Sequence, residues 1–407
     1  MAKPNVLFVI STLSGGTPQT NADLMEAISN EYQPFLLRCD SQVIEFSKID
    51  RSGMNRLETI TLTEEIQPFP HTSQEYDGIL SEILSAYDIK LVHIRHIGWH
   101  SLKLPKICRF LGIPVLFSFH DFYTICPTVK LLDENMEFCA GRCTATQGHC
   151  KPELWPKESM PNLKHHTIYD WQVAMKHMLD DCDGYVTTSH STQEQIARIF
   201  PDTLTKRFSV IPHGRDLEMA KLSDWYESND DAIRILVPGN IVPAKGAHLI
   251  EALIELDTEK LFEFHILGHS SLPKSKRVIL HGSYDRDNFT AKVRKIKPHL
   301  GAVLSIWPET FCHTLTEMWA CGVPVLALDY GAVGERLHET GAGWLIKGKY
   351  PKDIYDKLLQ VVSDKENYLE TILRLAAWQA GEGANQTTQL MSKSYTDIYS
   401  EMLENTF

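Results

Sequence analysis

Short runs of Val, Ile, Leu and Phe alternate with segments of helical period along almost the whole chain, and the alternation halts once and restarts. A run that is apolar on both faces is a strand buried on both sides, and such strands pair in parallel through helix-sized crossovers. The class is therefore α/β, built of right-handed βαβ units. The first series of strand-like runs is Val6–Ser11, Phe35–Cys39, Leu91–Ile94, Val115–His120, Gly184–Ser189 and Phe208–Ile211. The second is Ile233–Val237, Phe262–Leu267, Val278–His281, Ala302–Ser305, Val323–Leu328 and Trp344–Ile346.

Between the two series, Lys221–Asp231 is rich in Ser, Asp, Glu and Asn and marks a domain boundary. The expected organisation is a doubly wound domain over residues 1–216, a linker over 217–231, a second doubly wound domain over 232–384 and a closing helix over 385–407. In that tail Leu390, Tyr395, Ile398, Tyr399 and Met402 fall near helical spacing. A length of 407 residues suits two such domains.

Lys and Arg number 40 against 52 Asp and Glu, a formal charge of −12, which argues against nonspecific nucleic-acid binding. No apolar run approaches the roughly 18 residues of a membrane span, and Val6–Ile10 is too short for a signal core. The expectation is a cytoplasmic protein. Peripheral contact with a membrane stays open, because amphipathic surface helices look alike in either setting.

In open α/β sheets ligands bind beyond the carboxyl ends of the strands, so the residues just after each strand carry the functional information. In the first series these are Ser14-Gly15-Gly16-Thr17, His96, His120-Asp121 and His213-Gly214. In the second they are Gly239-Asn240 through Lys245-Gly246, Gly268-His269, Gly282-Ser283 and Trp307 through Thr310. Two furnished crevices in one chain predict a ligand held between two domains that face across a cleft. The glycines after the first strand suit a phosphate at a helix start, yet they lack the spacing of a dinucleotide fingerprint or a P-loop. Lys245 stands ready to neutralise a diphosphate. Glu309 is expected at the mouth of a helix ending at Gly322, with Glu317 about two turns inside it.

Glu309-x7-Glu317 followed by Ala320-Cys-Gly-Val-Pro-Val325 resembles the signature of retaining GT-B glycosyltransferases of the sucrose-synthase and mannosyltransferase type, the family 4 type. The resemblance covers nearly the whole chain. Gly15-Gly16 matches the family's N-terminal glycine loop, His120 its N-domain histidine, and Pro238-Gly239 through Lys245-Gly246 its donor-phosphate segment. Leu267-Gly268 and Gly282-Ser283-Tyr284 match its nucleotide-side turns. The resemblance implies that Lys245 contacts the donor diphosphate, Glu309 the transferred sugar, Glu317 the ribose, and His120 the sugar near the reacting carbon. The amides of Phe311, Cys312 and His313 would complete the cradle. Asn240 departs from the pattern, since many members carry an Arg there.

The activity implied is hexosyl transfer from a nucleotide-diphosphate donor to a hydroxyl of a glycan or lipid-linked acceptor, with retention and without a catalytic metal. Surface polysaccharide synthesis is the family's habitual setting. The other readings are a degenerate GT-B subunit binding a glycan or protein, to which Asn240 points, and a nucleotide-sugar 2-epimerase.

Cys126, Cys139, Cys143 and Cys150 cluster directly after His120-Asp121, at spacings x12, x3 and x6. Structural zinc, free thiols and disulfides are the states open to them, and zinc would pin a long loop of low apolar content. In the family the N-terminal domain usually holds the acceptor, so His96, Trp99 and Asp121 are the expected acceptor-side residues.

Overall fold

The computed structural model describes residues 3–11, 16–50, 53–143, 148–225 and 232–405. The chain divides into two units, Met1–Gly214 together with Thr388–Phe407, and Arg215–Thr387.

The first unit holds strands β1 (Asn5–Ile10), β2 (Gln33–Cys39), β3 (Val43–Asp50), β4 (Gly53–Thr61), β5 (Ile89–Ile94), β6 (Val115–Ser118), β7 (Gly184–Thr187) and β8 (Arg207–Val210). They form one sheet in the order β4-β3-β2-β1-β5-β6-β7-β8. Six are parallel, as continuous apolarity requires: Val6 to Ile10 of β1 are all buried. The antiparallel pair β3 and β4 was not expected from the sequence. β4 is a solvent-exposed edge with little apolar content, so it lacks the signal of a buried strand. Helices α1 (Gly16–Ile28), α2 (Gln74–Ala86), α3 (Leu104–Phe110), α4 (His166–Asp180) and α5 (His190–Ile199) complete the crossovers.

The second unit has β9 (Ile233–Ile241), β10 (Phe262–Ser270), β11 (Val278–Leu280), β12 (Leu300–Val303), β13 (Val325–Leu328) and β14 (Gly343–Ile346). They run entirely parallel in the order β11-β10-β9-β12-β13-β14. Around them lie α6 (Ala247–Leu256), α7 (Phe289–Ile296), α8 (His313–Ala320), α9 (Gly331–Thr340), α10 (Pro351–Ser363), α11 (Lys365–Ala380) and the short α12 (Glu382–Asn385). Strand order reverses between β1 and β5 in one unit and between β9 and β12 in the other, and ligands of such sheets gather at those points.

The polar stretch near residue 220 is more firmly held than its composition suggests. The amide of Ala220 donates to the Ala320 carbonyl at 2.7 Å and that of Leu222 to Cys321 at 2.9 Å. A Cβ on Gly322 would lie 2.7 Å from the Ala220 carbonyl oxygen, so the segment packs directly on the second unit. Residues 226–231 of the expected linker lie outside the described residues.

After α12 the chain re-enters the first unit as α13 (Thr388–Glu404). Its Tyr395 and Tyr399 are fully buried, and the Tyr399 hydroxyl meets His93 Nδ1 at 2.6 Å. His93 therefore belongs to the core and not to a ligand site. Among the described residues no helix is long and apolar enough to cross a membrane.

Candidate functional site

In the second unit, the segment between β12 and α8 carries Ser305 through Cys312. Glu309 is 7% exposed. Its Oε1 lies 2.6 Å from the Lys245 ammonium and also accepts from the Ser305 hydroxyl. Lys245 ends a short 3₁₀ turn, Pro243–Lys245, and is followed by Gly246 at φ 81°. A Cβ there would stand 2.3 Å from the Leu304 carbonyl oxygen, so only glycine lets the lysine turn approach the end of β12. The Lys245 side chain remains 30% exposed, and its ammonium sits 5.8 Å from the Trp307 ring centre. Burial pushes the Glu309 carboxyl up. The Lys245 charge and the hydrogen bonds from Lys245, Ser305 and Cys312 outweigh burial and hold it below the ordinary glutamate value.

α8 begins at His313, so Glu309 stands in the loop four residues ahead of it and Glu317 is the helix's fifth residue, little more than one turn inside. The expected helix start was too early, because Cys312 adopts a left-handed φ of 72° that no helical turn accommodates. The N-cap residue Cys312 makes no conventional side-chain capping hydrogen bond to α8. Arg336, 7% exposed, holds the turn from beneath: it donates to the Phe311 carbonyl at 3.3 Å, the Cys312 carbonyl at 3.4 Å and the Thr316 hydroxyl at 2.9 Å. Its guanidinium also lies 4.7 Å from the Phe311 ring centre.

Glu317 is buried, with Oε1 accepting from Arg215 at 2.6 Å and Oε2 from the Tyr284 hydroxyl at 2.9 Å. Each oxygen keeps a further lone pair. Gly239 and Gly268 face each other across β9 and β10, and a Cβ on Gly268 would be 2.2 Å from the Gly239 carbonyl oxygen. Gly282 accepts the Gly268 amide at 2.8 Å. Asn240 and Ser283 are exposed, and His313 is half-buried. Asp285 of the Asp285-Arg286-Asp287 run shares a reciprocal cap with Asn288.

In the first unit, β5 and β6 deliver His96 and Asp121. His96 Nε2 is 3.2 Å from Asp121 Oδ2, while Nδ1 accepts the Gly98 amide at 3.1 Å, which assigns the ring proton to Nε2. Asp121 also accepts the Tyr123 amide at 2.9 Å. His120 stacks on His213 with ring centres 5.3 Å apart, and burial, then the Arg95 charge, keep its imidazole neutral. Trp99 has φ 63° and turns its indole N–H to the Leu154 carbonyl at 3.2 Å. Gly16 opens α1, whereas Gly15 lies outside the described residues. Cys126, Cys139, Cys143 and Cys150 are free thiols lining one small cavity with Asp133 and Lys164. Among the described residues no three His, Cys, Asp or Glu side chains are arranged to hold a metal ion as they stand.

Sequence reading missed Ser305, Arg215 and Arg336. Nothing in the sequence marks them, because a single Ser or Arg reads as a surface residue until its burial is known.

Residues 66–219 match the family model Glycosyltransferase Family 4, and residues 220–374 match Glycosyl transferases group 1. The chain carries glycosyltransferase domains of these two types. A D-inositol 3-phosphate glycosyltransferase of Paenarthrobacter aurescens is 26% identical over 355 residues, spanning 82% of this chain and 78% of that protein. Among solved structures, Anabaena HepE in complex with UDP and glucose aligns with a TM-score of 0.64 at 12% identity, covering 97% of this chain and 99% of its own. Sucrose-phosphate synthase from Thermosynechococcus elongatus aligns at 0.62 and 15% identity, covering 99% and 100%. At these identities the likeness is one of fold, and the fold is GT-B. The Lys245–Glu309 pair lies within the group 1 domain, and His96 and Asp121 within the family 4 domain.

The Glu309 contribution to stability is complete above the ordinary glutamate range and is lost as pH falls through its lowered value. In acid titrations of unfolding, Glu309→Gln will lose less stability than wild type between about pH 5 and pH 3.

Proposed function

We propose that the protein transfers a sugar from a nucleotide-diphosphate donor to a hydroxyl of a glycan or lipid-linked acceptor, with retention at the anomeric carbon, in surface polysaccharide synthesis. The observation that carries this reading is the Lys245–Glu309 ion pair just ahead of the start of α8. HepE structures with UDP and with UDP-glucose support a nucleoside-diphosphate donor.

In this reading Lys245 uses its exposed side for the diphosphate while Glu309 fixes its position. As the bond to the sugar breaks, negative charge grows on the departing phosphate, and a preorganised ammonium stabilises it. The amides of Phe311, Cys312 and His313, at the start of α8, add the positive end of the helix dipole. The remaining Glu309 lone pairs accept sugar hydroxyls, and Glu317, set by Arg215 and Tyr284, accepts those of the ribose. Gly239, Asn240, Gly268, Gly282 and Ser283 line the nucleotide, with the glycines letting backbone approach it closely. Gly15 and Gly16 take the phosphate-contacting role that the family resemblance gives them.

His120, neutral, contacts the sugar near the reacting carbon, and His96, Trp99 and Asp121 serve the acceptor. The departing phosphate takes the acceptor proton on the face it leaves, so positioning is the protein's main task. A lipid-linked acceptor places the enzyme in the cytoplasm with peripheral contact at the inner membrane face.

Glu309→Ala is expected to lose at least about a hundredfold in transfer rate while staying folded, the scale of losing one transition-state contact. Product analysis by NMR should show the donor's anomeric configuration preserved. Near-normal turnover of the variant, or an inverted product, contradicts the reading.

No metal takes part in this chemistry. For Cys126, Cys139, Cys143 and Cys150 the proposal is a structural zinc that draws the thiols inward around their shared cavity and deprotonates them. Elemental analysis of the purified chain should find about one zinc per chain. Absence of stoichiometric metal from a folded chain overturns it.

A further inference from the structure

Arg95, directly after β5 in the family 4 domain, is fully buried. One of its nitrogens is spent: Nη1 donates to the Tyr395 hydroxyl at 2.9 Å, and the guanidinium lies 5.4 Å from that ring's centre. Nε and Nη2 are buried and have no hydrogen-bond partner. These two nitrogens form one edge of the guanidinium, the fork that presents parallel N–H groups to a carboxylate or phosphate. Among the described residues no carboxylate pairs with Arg95. A buried charge without a counter-ion is among the costliest arrangements a fold can hold, and proteins tolerate it where a ligand supplies the missing partner.

A second observation lies beside it. Thr124, 3% exposed, has a hydroxyl with no partner. Arg95 and Thr124 line the same small cavity, together with His96, His120 and Asp121, at the carboxyl ends of β5 and β6. The cavity is about 10 Å³, room for one oxygen atom, and one oxygen suffices to bridge the fork. Asp121 does not neutralise the arginine, being engaged with His96 and the Tyr123 amide. The histidines around the cavity add no compensating charge. After burial, the Arg95 charge is the next cause holding both His93 and His120 well below the usual histidine range.

We propose that Arg95 and Thr124 form an oxyanion-binding subsite that recognises a carboxylate or phosphate borne by the acceptor. This rests on the glycosyltransferase reading given above and names the acceptor's chemistry: the hydroxyl that receives the sugar belongs to an anionic molecule. Arg95 accepts the anion through its free edge, Thr124 donates its hydroxyl, and the Tyr395 contact keeps the fork aimed at the cavity.

The test is thermal unfolding of the full chain in inorganic phosphate or in acetate, against chloride at equal ionic strength. It is run with a saturating nucleoside diphosphate, so that the donor site does not report the anion. Wild type, Arg95→Lys, Arg95→Met and Thr124→Val are compared. Wild type should gain about 3 °C or more with one of the two anions. Arg95→Met should gain less than about 1 °C, Arg95→Lys should fall between because it keeps the charge without the fork, and Thr124→Val should lose roughly half the effect.

A response to phosphate alone assigns a phosphorylated acceptor, and a response to acetate alone assigns a carboxylated one. Equal responses in wild type and in the Arg95 variants, or none in wild type, overturn the subsite. If Arg95→Met does not fold, Arg95→Lys and Thr124→Val carry the comparison. Nucleotide binding is read separately in the same proteins. If no nucleoside diphosphate binds even to wild type, the donor reading fails, and the anion comparison without nucleotide still decides the subsite.

Discussion

Lys245 and Glu309 are 64 positions apart in sequence and 2.6 Å apart in space, and much of the group 1 domain can be read as what that contact requires. The lysine turn must reach the end of β12, which demands a residue without a Cβ at Gly246. The carboxylate must stay ionised although buried, which demands Ser305 and the lysine as donors. The backbone after it must turn sharply before α8 starts, which puts Cys312 in a left-handed conformation held by Arg336. α9 contributes as well, since the Ala332 amide donates to the Glu309 carbonyl at 2.9 Å. The topology does the rest by setting β9 beside β12, where strand order reverses.

The family 4 domain organises its polar core differently. Its charged and titratable groups sit deep, and the C-terminal helix supplies partners for them: Tyr395 for Arg95, Tyr399 for His93. A segment distant in sequence thereby fixes the residues at the carboxyl ends of β5 and β6. There the Arg95 charge adds to burial in keeping His93 and His120 neutral, so that end of the sheet carries net positive charge on the arginine. The two domains thus carry cations in different settings: a partly exposed lysine tethered by a carboxylate, and a sequestered arginine that has none among the described residues.

Much of the fold was legible because parallel strands buried on both faces write themselves as unbroken apolar runs. The antiparallel β3–β4 hairpin escaped because its outer strand faces solvent. Glu309, Glu317, Lys245 and His120 were legible through their spacing and their likeness to a family. Their partners were not. Arg215, Ser305, Arg336 and Arg95 are ordinary residue types whose meaning comes from burial, and burial is a property of the folded chain. The left-handed turn at Cys312, which moved the start of α8, left no mark in composition either.

The central claim is that Lys245, held by Glu309, meets a nucleoside diphosphate. Calorimetric titration of wild type and Lys245→Ala with UDP, GDP, dTDP and ADP, and with the matching nucleosides, tests it most directly. At least one diphosphate should bind wild type and weaken by about tenfold or more in the variant, the scale of one charge-assisted contact, while its nucleoside is unaffected. Equal diphosphate affinity in the two proteins, or no binding by any of the four, would contradict it.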